Sequence, residues 1–171
     1  MKMDKRYFII IIIIFVCCFN LFMIANFSDV VGSASVHVGN YTFSLPEGFT
    51  LYDNENNRVH IYNSDTKAHI MVYYPIAKDD TFLNKYNEIK NDSQYRVLSN
   101  GTVTSNDITI ESVFYQRTSD LDNRSTFYFT KYDEHFRILL SGFDYNTHKN
   151  ETINIVTQIV DTIRTNHEVT G

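Results

Sequence analysis

The first long pattern in the chain is an apolar run from Tyr7 to Ala25 that contains no charged residue. As a helix, these 19 residues span about 28 Å, close to the thickness of the hydrocarbon core of a bilayer. The basic tag before it, residues 1–6, carries Lys2, Lys5 and Arg6. Positive charge on that side predicts that the N-terminus stays inside and the rest of the chain lies outside. The run therefore predicts a single transmembrane anchor in the cell membrane.

A cleaved signal peptide is the alternative interpretation of the same run. Signal peptides hold about 7–15 apolar residues before a small-residue cleavage site. Here the apolar run is longer and ends in Met23-Ile24-Ala25, whose composition is poor for cleavage, while the better Gly32-Ser33-Ala34 lies well beyond it. Residues 26–35 are a tether in the first interpretation, and the domain is secreted in the second.

From Val36 onward, apolar and polar residues alternate, which predicts β-strands. Gly39 and Asn40 separate two short runs and predict a tight hairpin turn. Two later runs, Arg58–Asn63 and Ala68–Tyr74, predict a second hairpin. Its alternation puts Val59, Ile61, Ile70 and Val72 on one face and His60, Tyr62, His69 and Met71 on the other.

Helical spacing occurs twice in the chain. After Pro75, the pair Asp79-Asp80 is suited to cap a mid-chain helix. A second helix is predicted from about Asn150 to Thr165. The apolar stripes are Phe82, Leu83, Tyr86 and Ile89 in the first helix, and Ile153, Val156, Ile159, Val160 and Ile163 in the second.

A three-stranded meander is predicted between the helices. Its strands are Ile108–Arg117, Arg124–Tyr132 and Phe136–Gly142, and short strands at Tyr95–Leu98 and around Val103 precede it. A last turn from Tyr132 to His135 places Phe127 and Phe129 opposite Leu140 and Ile138, on a core face. The opposite face is half apolar, so we expect another element to cover part of it.

The predicted fold class is therefore α+β. An antiparallel β-sheet carries a mid-chain helix and a C-terminal helix packed on it, preceded by one N-terminal transmembrane helix. The domain covers residues 36–166, and residues 167–171 form a tail.

Charge and cysteine content exclude several classes of partner and site. The chain has a net charge of −5, and 12 basic and 19 acidic residues follow Ala25, a net of −7. An acidic domain argues against nucleic acid and anionic lipid as partners. Both cysteines, Cys17 and Cys18, lie inside the apolar run, so the domain has no disulfide and no thiolate metal site.

The candidate metal ligands are His60 and His69, which the predicted hairpin places diagonally on one face. Two histidines can begin a zinc or copper site if a third ligand such as His37 joins them. Ordinary half-exposed strand residues are the alternative, so we predict no cofactor and no metal, with this pair as the weak candidates. The segment Asp53–Asn57 alternates oxygen donors but lacks the glycine and the glutamate of a calcium loop.

Catalysis finds no support in the sequence. There is no G-x-S-x-G motif, and the domain has no cysteine nucleophile. The acids at the predicted meander turns, Asp120, Asp122, Asp133 and Glu134, are typical of solvated turns. The chain is therefore predicted not to be an enzyme.

Six N-x-S/T sequons begin at Asn26, Asn40, Asn91, Asn100, Asn123 and Asn150. The last five are predicted to fall at turns or element ends on the outside, where glycans can be added. Asparagine also favours turns without any glycan. A set of tyrosines, namely Tyr73, Tyr74, Tyr115, Tyr128, Tyr132 and Tyr145, can supply a binding surface, although sheet packing is the more ordinary role of this residue.

The run Tyr41 to Phe49, YTFSLPEGF, resembles the opening of many small exported domains, and residues 36–166 resemble the PsbP-like fold. That family includes the extrinsic PsbP subunit of photosystem II and many uncharacterised single-anchor surface proteins. The composition and single anchor are similar to such proteins of methanogenic archaea. The resemblance implies a non-catalytic scaffold that binds proteins, and it carries over no functional residue.

Together these observations predict a membrane-anchored extracytoplasmic binding or accessory domain that is not an enzyme. Its expected partners are the membrane, through Tyr7–Ala25, and a protein or cell-surface polymer. The alternative function is a small metal-binding or hydrolytic surface domain that uses the face of His60 and His69. A sensor or accessory subunit of a membrane complex is a third.

Overall fold

Strands dominate residues 34–166, which are the part of the chain that the computed structural model describes. The ten strands are β1 (Ser35–Val38), β2 (Tyr41–Ser44), β3 (Thr50–Glu55), β4 (Arg58–Tyr62), β5 (His69–Tyr73), β6 (Tyr95–Ser105), β7 (Ile108–Arg117), β8 (Asn123–Lys131), β9 (Glu134–Ser141) and β10 (Arg164–Thr165). The two helices are α1 (Phe82–Asn91) and α2 (Tyr145–Thr162). The α+β class with antiparallel strands and two helices is thus confirmed.

The predicted anchor, Tyr7–Ala25, lies outside the described residues, as do the basic tag and the tail. Across residues 34–166, no helix is both long enough and apolar enough to span a bilayer. The anchor therefore stays a prediction from the sequence.

The strands form two antiparallel sheets, where the sequence predicted one. The larger sheet has seven strands in the order β3-β4-β5-β9-β8-β7-β6, and the smaller has three in the order β1-β2-β10. The smaller sheet is completed after α2, where Arg164 pairs with Thr42 and Thr165 with Tyr41. A strand of two residues is too short to show a periodic pattern, which is why the sequence did not reveal it.

The core lies on one face of the larger sheet, and α2 and the smaller sheet pack against that face. Alternate residues of β4, β5, β7, β8 and β9 supply its aliphatic and aromatic side chains, as their alternation predicts. Phe136 is fully buried at its centre. Its ring lies 4.8 Å from that of Tyr74 and 5.2 Å from those of Tyr41 and Phe129. Phe136 therefore joins the two sheets.

Among residues 34–166, the opposite face of the larger sheet is covered on one side only. Helix α1 packs on β6 and β7, where Ile89 joins a second apolar cluster with Val113 and Tyr115. The ring of Phe82 also lies 6.3 Å from that of Tyr128. The predicted cover for this half-apolar face is therefore present, while the β3–β5 side of the same face stays half exposed.

Both helix boundaries differ from the sequence prediction. Thr81, and not Asp79-Asp80, caps α1, because its hydroxyl accepts a hydrogen bond from the backbone N–H of Asn84 at 3.3 Å. Leu83 is 62% exposed, since it lies one helical step away from the buried stripe. Helix α2 begins earlier than predicted, at Tyr145, because the carboxylate of Asp144 accepts from two backbone N–H groups of the first turn.

Two strand predictions also need correction. The short strands predicted at Tyr95–Leu98 and around Val103 are one strand, β6, with an irregularity between Val97 and Ser99.

The register of β8 and β9 is shifted by two residues from the prediction: Phe127 lies opposite Ile138, and Phe129 opposite Phe136. The turn has only two central residues, Tyr132 and Asp133, both with positive φ (55° and 61°), a conformation that few non-glycine residues adopt. Phe127 and Phe129 still face the core, because a register shift of two residues leaves each side chain on the same face of the sheet.

Candidate functional site

The hairpin of β4 and β5 brings two histidines into contact on its half-exposed face. His60 lies opposite Met71 and His69 opposite Tyr62, which gives the diagonal arrangement predicted from the sequence. The Nε2 atom of His60 and the Nδ1 atom of His69 are 2.9 Å apart. At that distance one of the two nitrogens carries a proton and donates it to the lone pair of the other. The accepting nitrogen is therefore unprotonated.

Two tyrosines extend the histidine pair into a continuous surface. The ring of Tyr52 lies 4.7 Å from that of His60 and 6.3 Å from that of Tyr62, and the rings of Tyr62 and His69 are 4.6 Å apart. A register irregularity between Leu51 and Asp53 in β3 accompanies this placement of Tyr52, as bulges re-aim side chains. We call the surface formed by Tyr52, His60, Tyr62, His69 and Met71 the His–Tyr face.

Charged residues lie at the rim of the His–Tyr face and pair with one another. The guanidinium of Arg58 donates to the carboxylate of Asp53 at 3.1 Å and to that of Glu55 at 2.7 Å. No lysine or acid is among the five residues of the face itself. The face thus has an uncharged centre and a charged rim.

The environment of His60 favours its neutral form. Burial lowers its pKa below the usual value of 6.5, and the nearby His69 and Arg58 lower it further, against a smaller opposing effect of Asp53. Protonated His60 would carry a positive charge close to the positive charge of Arg58, which disfavours protonation. His60 is therefore an imidazole that keeps its lone pair at neutral pH.

This lowered pKa predicts a loss of stability in mild acid. Because folded His60 binds a proton less readily than unfolded His60, its contribution is complete above about pH 6.5 and is lost as pH falls from there through the lowered folded pKa. We expect urea unfolding of the full chain, measured with a metal chelator present, to show this decline. The His60→Gln variant should show a smaller decline over the same interval. An equal decline in both proteins would contradict the assignment to His60.

A second polar cluster lies under the segment before α1, and the sequence did not predict it. The hydroxyl of Tyr128 donates to Asp80 at 2.7 Å, and the guanidinium of Arg137 donates to the other oxygen of the same carboxylate. Burial and the hydrogen bond to Asp80 raise the pKa of Tyr128. Arg137 also lies over the ring of Tyr73, 4.2 Å from its centroid. Asp80 therefore fastens its segment to the sheet and does not cap the helix.

A half-open cavity of about 480 Å³ lies beside this cluster. Its floor is apolar and includes Ile76, Phe82, Ile108, Phe129 and Phe136. The polar groups that the cluster contributes to its wall already bond to one another, and His135 bonds to Thr130 at 3.0 Å. Lys78, Asp107 and Glu111 also line the cavity, so a ligand there would meet charged groups, whereas the His–Tyr face has an uncharged centre.

The other candidate residues do not join the His–Tyr face. His37 lies on β1 of the smaller sheet, opposite Thr42. In the part of the chain that the structure describes, no three His, Cys, Asp or Glu side chains are grouped to hold a metal ion. The turn acids Asp120 and Asp122 pair with Arg117 and Arg124. The three-ligand site of His60, His69 and His37 is thus not formed.

The sequons occupy more varied positions than the sequence suggested. Asn40 is exposed in a turn, Asn91 is exposed as the last residue of α1, and Asn123 begins β8 half-buried. Asn100 lies in the middle of β6 and Asn150 inside α2, so the prediction of turns or ends is wrong for these two. The ladder runs through Asn100-Gly101 without a turn. Asn26 lies outside the described residues, and glycan attachment stays a prediction.

The tyrosines divide into packing and surface residues. Tyr74, Tyr115 and Tyr128 are buried and act in packing, whereas Tyr52, which the sequence did not single out, is 68% exposed. Tyr52 is the last residue of the short alternating run Phe49–Tyr52, directly before the polar turn Asp53–Asn57, and nothing in that run marked it as a surface residue. Tyr62, in contrast, lies on the face that its alternation with His60 predicted.

Comparison with known proteins gives fold-level likenesses only. No protein-family model and no curated protein matches the chain. One similar solved structure is the solution structure of a cyanobacterial PsbP from Synechocystis sp. PCC 6803, with 13% identity over 74% of this chain and 86% of that one, and a TM-score of 0.49. Another is a crystal structure from Bacteroides thetaiotaomicron VPI-5482, with 9% identity over 78% of this chain and a TM-score of 0.47. This chain spans 48% of that second protein.

Proposed function

We propose that this protein is a membrane-anchored, extracytoplasmic and non-catalytic domain that binds another protein through the His–Tyr face. The observation that carries the proposal is the uneven cover of one sheet face. Helix α1 covers the β6–β7 side, and the β3–β5 side presents Tyr52, Tyr62 and Met71 beside two histidines. An apolar surface left half exposed in this way is typical of an interaction site.

The chemistry of the face favours a protein partner over a surface polymer. Tyrosine and methionine are enriched in the cores of protein interfaces, and lysine and acids are depleted there. The face has this composition, with the ion-paired Arg58 at its rim. Its neighbouring rings are tilted by 35–66°, so they do not form the flat platform along which sugar rings stack.

Site-specific photocrosslinking tests the binding role. With a benzophenone amino acid at position 52 of the full chain, native membranes should yield a discrete crosslinked protein. The same probe at position 83, also exposed but on α1, serves as the matched control and should not yield it. Adding Tyr62→Ala should weaken capture at position 52 by roughly 10- to 30-fold, as for a central interface tyrosine.

Three results would contradict the binding role as stated. Equal products from positions 52 and 83 would show nonspecific contact. Insensitivity to Tyr62→Ala would move the interface elsewhere. A crosslink to polysaccharide and not to protein would support the surface-polymer alternative.

The anchor has its own test, independent of the partner. Because Tyr7–Ala25 is long enough to span the hydrocarbon core, we expect the full chain to stay in membranes after an alkaline wash. Protease added outside should digest the domain, and a chain that begins at Asn26 should be released. Recovery of the domain in soluble form, with its N-terminus between positions 26 and 35, would instead establish signal cleavage.

A further inference from the structure

Two contacting imidazoles and one thioether lie on the same face of the β4–β5 hairpin. The contacting nitrogens of His60 and His69 are 2.9 Å apart. Met71 lies directly opposite His60 and two residues from His69 on β5, so all three side chains leave the sheet on the same face. Directly opposed residues have Cβ atoms about 4.5–5.5 Å apart. One ion between the strands can therefore be reached by all three.

We infer that His60, His69 and Met71 form a binding site for one Cu(I) ion, through Nε2, Nδ1 and Sδ respectively. Thioether sulfur is a soft ligand that selects Cu(I), and imidazole also suits copper. Structural zinc sites instead use four ligands drawn from cysteine, histidine and carboxylate. Within residues 34–166, no third ligand of that kind joins the histidine pair. Met71 therefore decides the choice of metal.

The three side chains can adopt a binding geometry with small movements. Two ring nitrogens that share an ion at about 2.0–2.1 Å each lie roughly 3.4 Å apart. The present separation of 2.9 Å must therefore widen by about half an ångström. The ring that donates across this contact must also release that proton and take one up on its other nitrogen, so that both contacting nitrogens offer lone pairs and both rings stay neutral. Both rings are half-buried on a sheet surface, and methionine has three rotatable bonds. The hydroxyl of Tyr73 contacts Met71 Sδ at 3.3 Å, which keeps the sulfur on this face.

Copper binding does not depend on the proposed protein partner. The ion needs His60, His69 and Met71, whereas partner binding is tested at Tyr52 and Tyr62. The two can fail separately.

An anaerobic competition titration tests the site. The full chain should carry Cys17→Ser and Cys18→Ser, because these thiols would themselves bind Cu(I). Titration with Cu(I) against the chromophoric chelator bicinchoninate should show one bound ion per chain. Met71→Leu keeps the side-chain volume and should weaken the affinity by about tenfold or more, and His60→Ala by about 100-fold. X-ray absorption of the loaded protein should show one sulfur and two nitrogen neighbours.

The matched control is His37→Ala, which removes an exposed histidine from the other sheet and should leave the affinity unchanged. Circular dichroism of each variant separates loss of a ligand from loss of fold. Absence of a stoichiometric ion would overturn the inference. So would a Met71→Leu variant that is folded and binds Cu(I) as tightly as the parent. Stoichiometric Zn²⁺ binding that displaces Cu(I) would likewise overturn the metal assignment.

Discussion

Replacing Phe136 with alanine is expected to lower the free energy of unfolding by about 4 kcal/mol. The ring is fully buried and stacks against Phe129 and Tyr74 while its edge contacts Tyr41. Its removal leaves a cavity between the two sheets that a closely packed core refills only in part. Urea unfolding of the full chain, followed by circular dichroism, measures the change.

Leu83→Ala is the control for the Phe136 variant. Leu83 is exposed on α1, so its truncation should change stability by no more than about 0.5 kcal/mol. A Phe136→Ala variant that loses less than about 2 kcal/mol would mean that the smaller sheet is not fastened to the larger one through this residue.

Replacing Gly142 with alanine is expected to cost about 3 kcal/mol, from left-handed backbone strain together with a steric clash. Gly142 has φ +83°, and an added Cβ would lie 2.5 Å from the carbonyl oxygen of Lys67 and 3.0 Å from the Cα of Ala68. These contacts are with backbone and cannot be relieved by a side-chain rotation. Residues 67 and 68 would have to move, and His69 follows them directly on the His–Tyr face. We therefore expect the variant to lose Cu(I) affinity as well as stability.

Gly101→Ala is the matched control for Gly142. No atom lies within 4 Å of a Cβ placed on Gly101, and its φ is outside the left-handed region. Alanine in a strand is favoured over glycine by roughly 0.5–1 kcal/mol, so the control should be as stable as the parent or slightly more so. If the Gly142→Ala variant were as stable as the Gly101→Ala variant, the loop between β9 and α2 would have to yield to the added Cβ, which would contradict the predicted clash.

The features that the sequence predicted best are those set by local alternation. A period of two in Arg58–Asn63 and Ala68–Tyr74, joined by a polar turn, was enough to place His60 beside His69. The apolar stripe of α2 was similarly evident in Val156, Ile159 and Val160, which are buried. These patterns arise because each strand or helix must turn one side to the core.

Features that depend on backbone conformation or on contacts between distant residues could not be predicted from the sequence. Tyr132 and Asp133 adopt positive φ without glycine, so the turn was placed two residues too long and the register of β9 was wrong. Aspartate is a common helix-capping residue, so the sequence pointed to a cap at Asp80. Its contacts with Arg137 and Tyr128 arise only in the tertiary fold. The exposed position of Tyr52 likewise follows from an irregularity in β3.

The smaller sheet also determines how the domain responds to pulling. Strands β1 and β10 flank β2 and are both antiparallel to it, so they run in the same direction on either side. A force that draws the chain before Ser35 away from the chain after Thr165 acts along these strands and loads their hydrogen bonds in shear. Such bonds lie perpendicular to the strands and must break together, whereas a peeled hairpin loses them one at a time. The smaller sheet is therefore the mechanical clamp that resists a load applied between these two points of the chain.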